Sequence, residues 1–557
     1  MKSLHELIHD FTYDLLEALV SKVAEGGEDT VMSGVRVLDE PEKFVHGHLI
    51  NLTIKLLVKY HIENDSREEI TLKRLYYFLG LIKGTPCHTW GKITLLRGMS
   101  SLYDAGLMHI LNDDIIEMLK EKTNYEDFLD KSTITLINQP SNYYQVALAC
   151  AGYREKIGWE DGGYCQKILN KLVSVMQTYS DCGFMDEQPP LGRFDRYTLI
   201  VASETINTLD AVGQPAPQFI LDQVKYISNA LLFMANSRGD GINYGRSLSC
   251  HGDCGVLLIL GVALRHKLIE KENIDLAVAY SIKIAEKTMN FWFNKEIGLF
   301  DIWFNGRSTN QYRQVHRILE VNLDMSDQLL KNLRNFKEAG YDKYVPDIKL
   351  PTKDEWQASK IVYVKEEDKE RTVYLIKKRD MSLMLPLIGA GRWWRCAAYM
   401  PFPVLNGRIE APPESFLPFL APFVTLRDGT KAAACHYFST TDIIEERGKI
   451  TITAEGNLTT LETNGPTMLD SKFSVIYTFV GDTISSQFTF DNSVADIEMQ
   501  FAYAGAKRYI EGIGFDSEHF KAVTGNKEYF TPHGGLDNAI IWSAKGCSTV
   551  GYTINLE

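Results

Sequence analysis

The spacing of apolar residues changes once along this chain, and that change limits the folds open to it. Up to about residue 345, stretches such as HELIHDFTYDLLEALVSKV, YCQKILNKLVSVMQTY and FILDQVKYISNALLFMA place apolar side chains at i, i+3, i+4 and i+7, the period of a helix with one buried face. Beyond about residue 355, RTVYLIKKRD, KFSVIYTFVGDTISSQFTFDNS and CSTVGYTINLE alternate and are rich in Val, Ile, Thr, Tyr and Phe, as antiparallel strands are. Loops such as INQPSN, MDEQPPLGRFD and SRGDGINYG carry the Pro and Gly that end one helix and start the next. Consecutive helical hairpins either stack into an open solenoid or close into an α/α toroid. Closure is expected, because chemically alike polar loops recur at wide spacing, as if several met at one end of a ring. The expected architecture is α+β: an α/α toroid over residues 1–345, a linker over 346–356 (PDIKLPTKDEW) and an antiparallel β-sandwich over 357–557.

A chain of 557 residues exceeds what one hydrophobic core supports, and 45% hydrophobic with 24% charged residues is globular composition. The formal charge of −13 argues against a nucleic-acid partner, which requires clustered Lys and Arg. The N-terminal stretch MKSLHELIHDFTYDLLEALVSK mixes charges into its apolar residues and lacks the core of a signal peptide, and no apolar run is long enough to span a membrane. Nine cysteines without a CxxC pair fit reduced, buried thiols better than a disulfide framework. A cytoplasmic protein is expected, with no membrane partner. Homo-oligomerisation is left open.

Three loops of the helical part concentrate reactive side chains. In NQPSNYYQVALACAGY, Asn142, Tyr143 and Tyr144 stand at a helix start, where Asn142 also has a structural reading as an N-cap. In SDCGFMDEQPPLGRFDRYTLIVASETI, the residues Asp186, Glu187, Arg193, Asp195, Arg196 and Tyr197 crowd the approach to another helix. The helix dipole alone would favour Asp195 there, and a tyrosine entering a helix is often core. In GDGINYGRSLSCHGDCG, a Gly-rich turn delivers Tyr244, Arg246 and His251 to the mouth of the apolar segment VLLILGVAL. Cys250, His251 and Cys254 lack a fourth nearby ligand and zinc-ribbon spacing, so no metal is expected. His88 and Trp90 in GTPCHTWGK add an imidazole and an indole.

The order of these loops resembles the α/α-toroid polysaccharide lyases, of the chondroitin AC and hyaluronate lyase type and their heparinase II/III-like relatives, in which a helical toroid precedes an antiparallel β-sandwich. In those enzymes an Asn on an early loop, a His and Tyr following a DGSF-like loop, and an Arg in a GR-S/A-I-S stretch form the site. This chain carries Asn142, then CGFMDEQPPLGRFDRY ending at Tyr197, then GRSLS with Arg246. The GRSL stretch also resembles a family of bacterial toroid proteins. Where the lyases have a His after the DGSF-like loop, this chain has Asp186 and Glu187, and its imidazoles lie at His251 and His88.

The resemblance implies β-elimination at a uronate without a cofactor; because long polysaccharides do not cross a membrane intact, a cytoplasmic member is expected to meet imported uronate-containing oligosaccharides and to act at chain ends. The C5 proton becomes acidic once hydrogen-bond donors such as Asn142 and Arg246 neutralise the adjoining carboxylate. Tyr197 and Tyr244 are the acid/base candidates, because nearby positive charge favours a phenolate and a phenol can return a proton to the leaving oxygen. His251 completes the catalytic set, with Tyr143, Tyr144, Arg193, Arg196, His88 and Trp90 as substrate contacts. A second reading is glycoside hydrolysis, for example by an inverting glucuronidase, with Asp186, Glu187, Asp195 and Asp240 as candidate carboxyl groups and the arginines holding a uronate by paired bonds. A third is sugar binding without catalysis at aromatic surfaces such as RWWR, residues 392–395, although adjacent tryptophans in a strand face opposite sides.

Overall fold

A computed structural model describes residues 2–39, 44–179, 196–242, 249–303, 315–366, 369–387, 404–405, 422–460, 467–491, 494–503, 513–515, 521–525, 529–531, 534–536 and 538–556. Twelve α-helices occupy the first part among these: α1 (Leu4–Gly26), α2 (Val45–Glu63), α3 (Glu68–Ile82), α4 (Thr89–Asp104), α5 (Asp113–Lys122), α6 (Tyr143–Lys156), α7 (Tyr164–Tyr179), α8 (Arg196–Ala211), α9 (Gln218–Phe233), α10 (Cys250–Arg265), α11 (Ile274–Lys287) and α12 (Ile318–Ala339). Local chemistry sets several ends. Ser3 and Glu6 form a reciprocal capping box at the start of α1, and Gly340 closes α12 in the left-handed conformation at φ +84°.

The even-numbered helices pack on one another in the order α2, α4, α6, α8, α10, α12, and α12 returns to α2, so the hairpins close into a ring. The odd-numbered helices lie outside it. This explains why the apolar period is faint on the inner helix α6 and clear on the outer helices α5 and α7. An outer helix buries one stripe, whereas Tyr144–Arg154 of α6 and Cys250–Leu264 of α10 are buried all round, one side against the outer layer and the other against the lumen. Inner helices therefore carry buried polar residues that a one-face pattern does not anticipate. Helices α2 and α4 cross so closely that a Cβ on Gly47 would lie 2.5 Å from the Gly91 carbonyl oxygen, so a larger residue there would force the pair apart. No helix among the described residues is long and apolar enough to cross a membrane.

Short antiparallel ribbons decorate the ring: β1 (Val31–Met32) with β2 (Val35–Arg36), β3 (Leu129–Asp130) with β4 (Thr135–Leu136), and β5 (Phe293–Asn294) with β6 (Leu299–Phe300). After α12 the chain turns to strands. β7 (Gln357–Glu366), β8 (Lys369–Lys378), β9 (Met381–Leu387) and β10 (Val404–Leu405) form one antiparallel sheet. β11 (Phe423–Leu426), β12 (Lys431–Glu446), β13 (Lys449–Thr460), β14 (Met468–Val480), β15 (Thr483–Phe490), β16 (Val494–Tyr503), β17 (Ile513–Phe515), β18 (Lys521–Gly525), β21 (Asn538–Lys545) and β22 (Thr549–Asn555) form a second, while β19 (Tyr529–Thr531) and β20 (Gly534–Leu536) pair separately. Alternation holds: Ile450, Ile452 and Ala454 of β13 and Phe473, Val475, Tyr477 and Phe479 of β14 are buried, with Thr451, Thr453, Ile476 and Thr478 between them facing outward. The two sheets touch where Tyr374 of β8 donates to Thr441 Oγ1 of β12 at 3.1 Å. Trp356, just before β7, is buried against Phe479 and donates to the Gly481 carbonyl at 2.9 Å. The molecule is an α/α toroid followed by an antiparallel β region.

Candidate functional site at the mouth of the ring

Because outer and inner helices alternate, the inner helices run parallel and their N-termini share one end of the ring. Side chains that meet across the lumen confirm the common direction. Arg97, Glu204 and Asp327 all sit in the third turn of α4, α8 and α12, and they are joined there. Arg97 donates to Glu204 at 2.6 Å and to Asp327 at 3.4 Å, Lys331 pairs with Glu204 at 2.6 Å and Asp327 at 3.3 Å, and Lys55 of α2 also binds Asp327. Asn51 donates to the same carboxylate at 3.1 Å. Burial alone would push the Asp327 carboxyl up, but Lys55, Lys331 and Arg97 hold it well below the usual range; Glu204 is lowered by Arg97 and Lys331 against the same burial. This ionic cluster ties α2, α4, α8 and α12 together inside the ring, and the N-terminal end of the inner helices beyond it is here called the mouth.

The mouth gathers the inner-helix N-termini, whose free N–H groups and dipoles favour negative charge. On α6, Asn142 occupies the N-cap position yet makes no capping bond; it is buried and its Oδ1 has no hydrogen bond within the protein. Both amide atoms of buried Gln145, Nδ1 of buried His48 on α2 and Oε2 of buried Glu320 on α12 likewise have none. Buried polar atoms are nearly always paired, and these share the opening turns of inner helices, while others such as Asn207 and Asn332 lie further along α8 and α12. Aromatic rings line the rim beside them. Phe44 meets His88 at 4.2 Å between centroids and lies under Arg317 at 5.1 Å, while Tyr143 makes edge contacts with Trp90 at 6.1 Å and Phe128 at 6.2 Å.

Each candidate residue finds a definite place or lies outside the described residues. Asn142, Tyr197 and His251 stand at the N-terminal ends of successive inner helices α6, α8 and α10. Tyr197 is half-buried, with the Arg196 guanidinium 5.7 Å from its ring centroid. Arg196 itself is buried and its Nε donates to the His251 carbonyl at 3.0 Å, which binds α8 to α10 and gives it a structural task. His251 is fully buried; its Nδ1 lies 3.2 Å from Asp324 Oδ2, which also accepts from Gln328 at 2.7 Å. Burial would raise the Asp324 carboxyl, but the His251 contact and the charges of His48 and Lys331 hold it well below the usual range. Tyr144 is buried on α6, and Tyr143 and Trp90 are half-buried at the rim. His88 caps α4, its Nδ1 accepting from Trp90 N at 3.3 Å, and burial with Lys92 nearby pushes its imidazole down to about 4, so it is neutral.

Asp240 is buried among ion pairs, 2.9 Å from Arg238 and 3.0 Å from Lys287, and so is committed to holding its own turn. Lys287 also reaches Asp253, whose carboxylate accepts from Trp292 Nε1 and from Gly241 N, both at 2.7 Å. Asp186, Glu187, Arg193 and Asp195, as well as Tyr244 and Arg246, lie outside the described residues, as does RWWR. Among the described residues, no group of three or more His, Cys, Asp or Glu is arranged to hold a metal ion. Sequence reading missed Asp324, Gln328, Glu320, His48 and Gln145. For Asp324, Gln328 and Glu320 the signal was the density of polar residues in ILEVNLDMSDQLLKNLRNF, more than an outer helix of that period would bury; His48 and Gln145 had none.

A closed ring of helical hairpins with a polar mouth, joined to antiparallel sheets, defines an α/α-toroid protein that resembles the α/α-toroid polysaccharide lyases. Chondroitin AC lyase of Streptomyces coelicolor A3, solved in complex with chondroitin sulphate, matches over 98% of this chain and 79% of its own, with a TM-score of 0.52 at 10% identity. A possible GH105 family member from Salmonella enterica matches over 58% of this chain and 94% of its own, with a TM-score of 0.38 at 13% identity. Heparinase III covers 84% of this chain and 77% of its own, with a TM-score of 0.30 at 8% identity. No protein-family model and no curated protein matches the sequence.

Proposed function

We propose that this protein is a carbohydrate-processing enzyme that cleaves uronate-containing oligosaccharides by β-elimination, with its site at the N-terminal mouth of the ring. The observation that carries the reading is the set of buried, unpartnered polar atoms on Asn142, Gln145 and His48 at inner-helix N-termini, where the dipoles favour an anion, with Glu320 Oε2 nearby as an acceptor for a sugar hydroxyl. Sugar hydroxyls can donate to the acceptors Asn142 Oδ1, Gln145 Oε1 and Glu320 Oε2, a uronate carboxylate can accept from Gln145 Nε2 and the inner-helix N–H groups, and the rim rings at Trp90 and Tyr143 suit a sugar face. In this scheme Asn142 binds the carboxylate through its amide, an arginine such as Arg246 neutralises it, and Tyr197 or Tyr244 takes the C5 proton and returns one to the leaving oxygen. Arg196, anchored on the His251 carbonyl, sets its guanidinium beside the Tyr197 ring. We read the ionic cluster as closing the ring beneath its N-terminal end, which would admit a glycan from one side only and suit an end-acting enzyme. The two sheets in contact are read as the layers of a β-sandwich.

Hydrolysis remains the second reading, since the lyase histidine position is taken by Asp186 and Glu187. Products separate the two. Elimination leaves a C4–C5 double bond that absorbs in the ultraviolet, whereas hydrolysis leaves none and incorporates heavy oxygen from labelled water at the new reducing end. Incubation with uronate di- to tetrasaccharides is expected to raise the absorbance without label. Label without absorbance would replace elimination by hydrolysis.

A further inference from the structure

The β8–β9 hairpin docks on the α9–α10 connection, at the stretch that leads into the third candidate loop. Its Lys377 Nζ donates to the Ala235 carbonyl at 2.6 Å, its Asp380 accepts from Ser237 N at 2.5 Å and also from the Ser237 hydroxyl, and Ser382 Oγ accepts from Asn236 Nδ2 at 2.9 Å. Three consecutive residues of the α9–α10 connection are thus held by one hairpin. Asn236 passes the constraint on: its Oδ1 accepts from Arg238 N at 3.1 Å and Asp240 N at 3.3 Å. Asp240 then pairs with Lys287, which pairs with Asp253 in the first turn of α10, and Asp253 accepts from Gly241 N. A continuous line of hydrogen bonds and ion pairs leads from the hairpin to the base of the segment bearing Tyr244 and Arg246.

We infer that Asp380 and Ser382 are positioning residues through which the β region sets the placement of residues 238–242 and the start of α10. As regulation of the active site this rests on the function proposed above; as a mechanical link it does not. Asn236 is buried, and without Ser382 its amide keeps only the Met234 carbonyl as an acceptor, so the turn it organises loosens with it. The ring elsewhere, closed by Asp327 and its cations, is unaffected.

Hydrogen exchange of the full chain, read by mass spectrometry, tests the link. In Asp380→Ala/Ser382→Ala, exchange of peptides covering 238–242 and 250–256 is expected to rise about tenfold, with α2 and α4 as in the parent. Asp380→Asn, which keeps the side-chain shape, should show the same local pattern at smaller size. Arg379→Gln is the control, because Arg379 bonds Asp354 and Asp482 rather than the ring. Unchanged exchange over 238–256, or an increase spread evenly over the chain, overturns the inference. Where uronate cleavage has been established, the double variant should also lose kcat/KM. If the parent cleaves no uronide, the functional proposal falls while the exchange result still decides the link.

Discussion

Tyr197, second residue of α8 and half-buried beside Arg196, is the residue on which chemistry and packing diverge most clearly. Tyr197→Phe removes one oxygen. If that oxygen transfers a proton, turnover falls by roughly two to four orders of magnitude with melting temperature and substrate affinity nearly unchanged. A packing tyrosine would give an early-melting protein with normal activity per folded molecule. His88 tests the rim differently. Its imidazole titrates near 4 in the folded chain against the usual 6.5, so protonation favours unfolding, and stability is lost as pH falls from about 6.5 towards 4. His88→Asn keeps a capping side chain without the titration, and thermal melts across that window are expected to show a smaller acid-induced drop. Sequence could name Asn142, Tyr197 and His251 because polar residues on loops at helix mouths stand out. It could not name Asp324 or Glu320, whose significance lies in partners on other inner helices, set by ring closure and not by neighbours in the chain.

The GDG turn between α9 and α10 shows why particular elements take the form they do. Gly239 sits at φ +70°, and a Cβ there would lie 2.2 Å from the Lys283 carbonyl oxygen on α11. Gly239→Ala is therefore expected to cost about 2–4 kcal/mol in denaturant unfolding, through both the backbone and the collision. Ser249, immediately before α10, holds φ +61° without glycine's freedom, a strained entry to the helix that opens with Cys250 and His251. Glycines in the sequence announced a turn there, yet the tight approach to α11 depends on how the outer helices stack. The same limit applies to the inner helices. Their type was legible, but their burial on all sides was not, since periodicity reports one buried face and α6 and α10 have no exposed one.

At the scale of the whole molecule, the single switch in apolar period marks the passage from ring to sheets: α12 ends at Ala339 and β7 begins at Gln357. What periodicity could not choose, solenoid or toroid, is settled by α12 returning to α2 and by the carboxylates of Asp327 and Glu204 in the lumen. Removing one partner from a buried ionic cluster leaves charges uncompensated, so Asp327→Ala is expected to lower the unfolding free energy by about 3–5 kcal/mol in denaturant titration. Asp327, Glu204 and Asp324 all titrate below the usual carboxylate range when folded, so their stabilisation is full above the ordinary carboxylate pKa and is lost as pH falls beneath it. The central claim, that the inner-helix mouth holds a uronate, is tested most directly by a crystal structure of Tyr197→Phe soaked with a uronate tetrasaccharide. The terminal uronate carboxylate is expected at the mouth, within hydrogen-bond reach of Asn142 and on the N-terminal side of the Asp327 cluster. A sugar bound instead along the β sheets, with the mouth empty at saturating ligand, would contradict it.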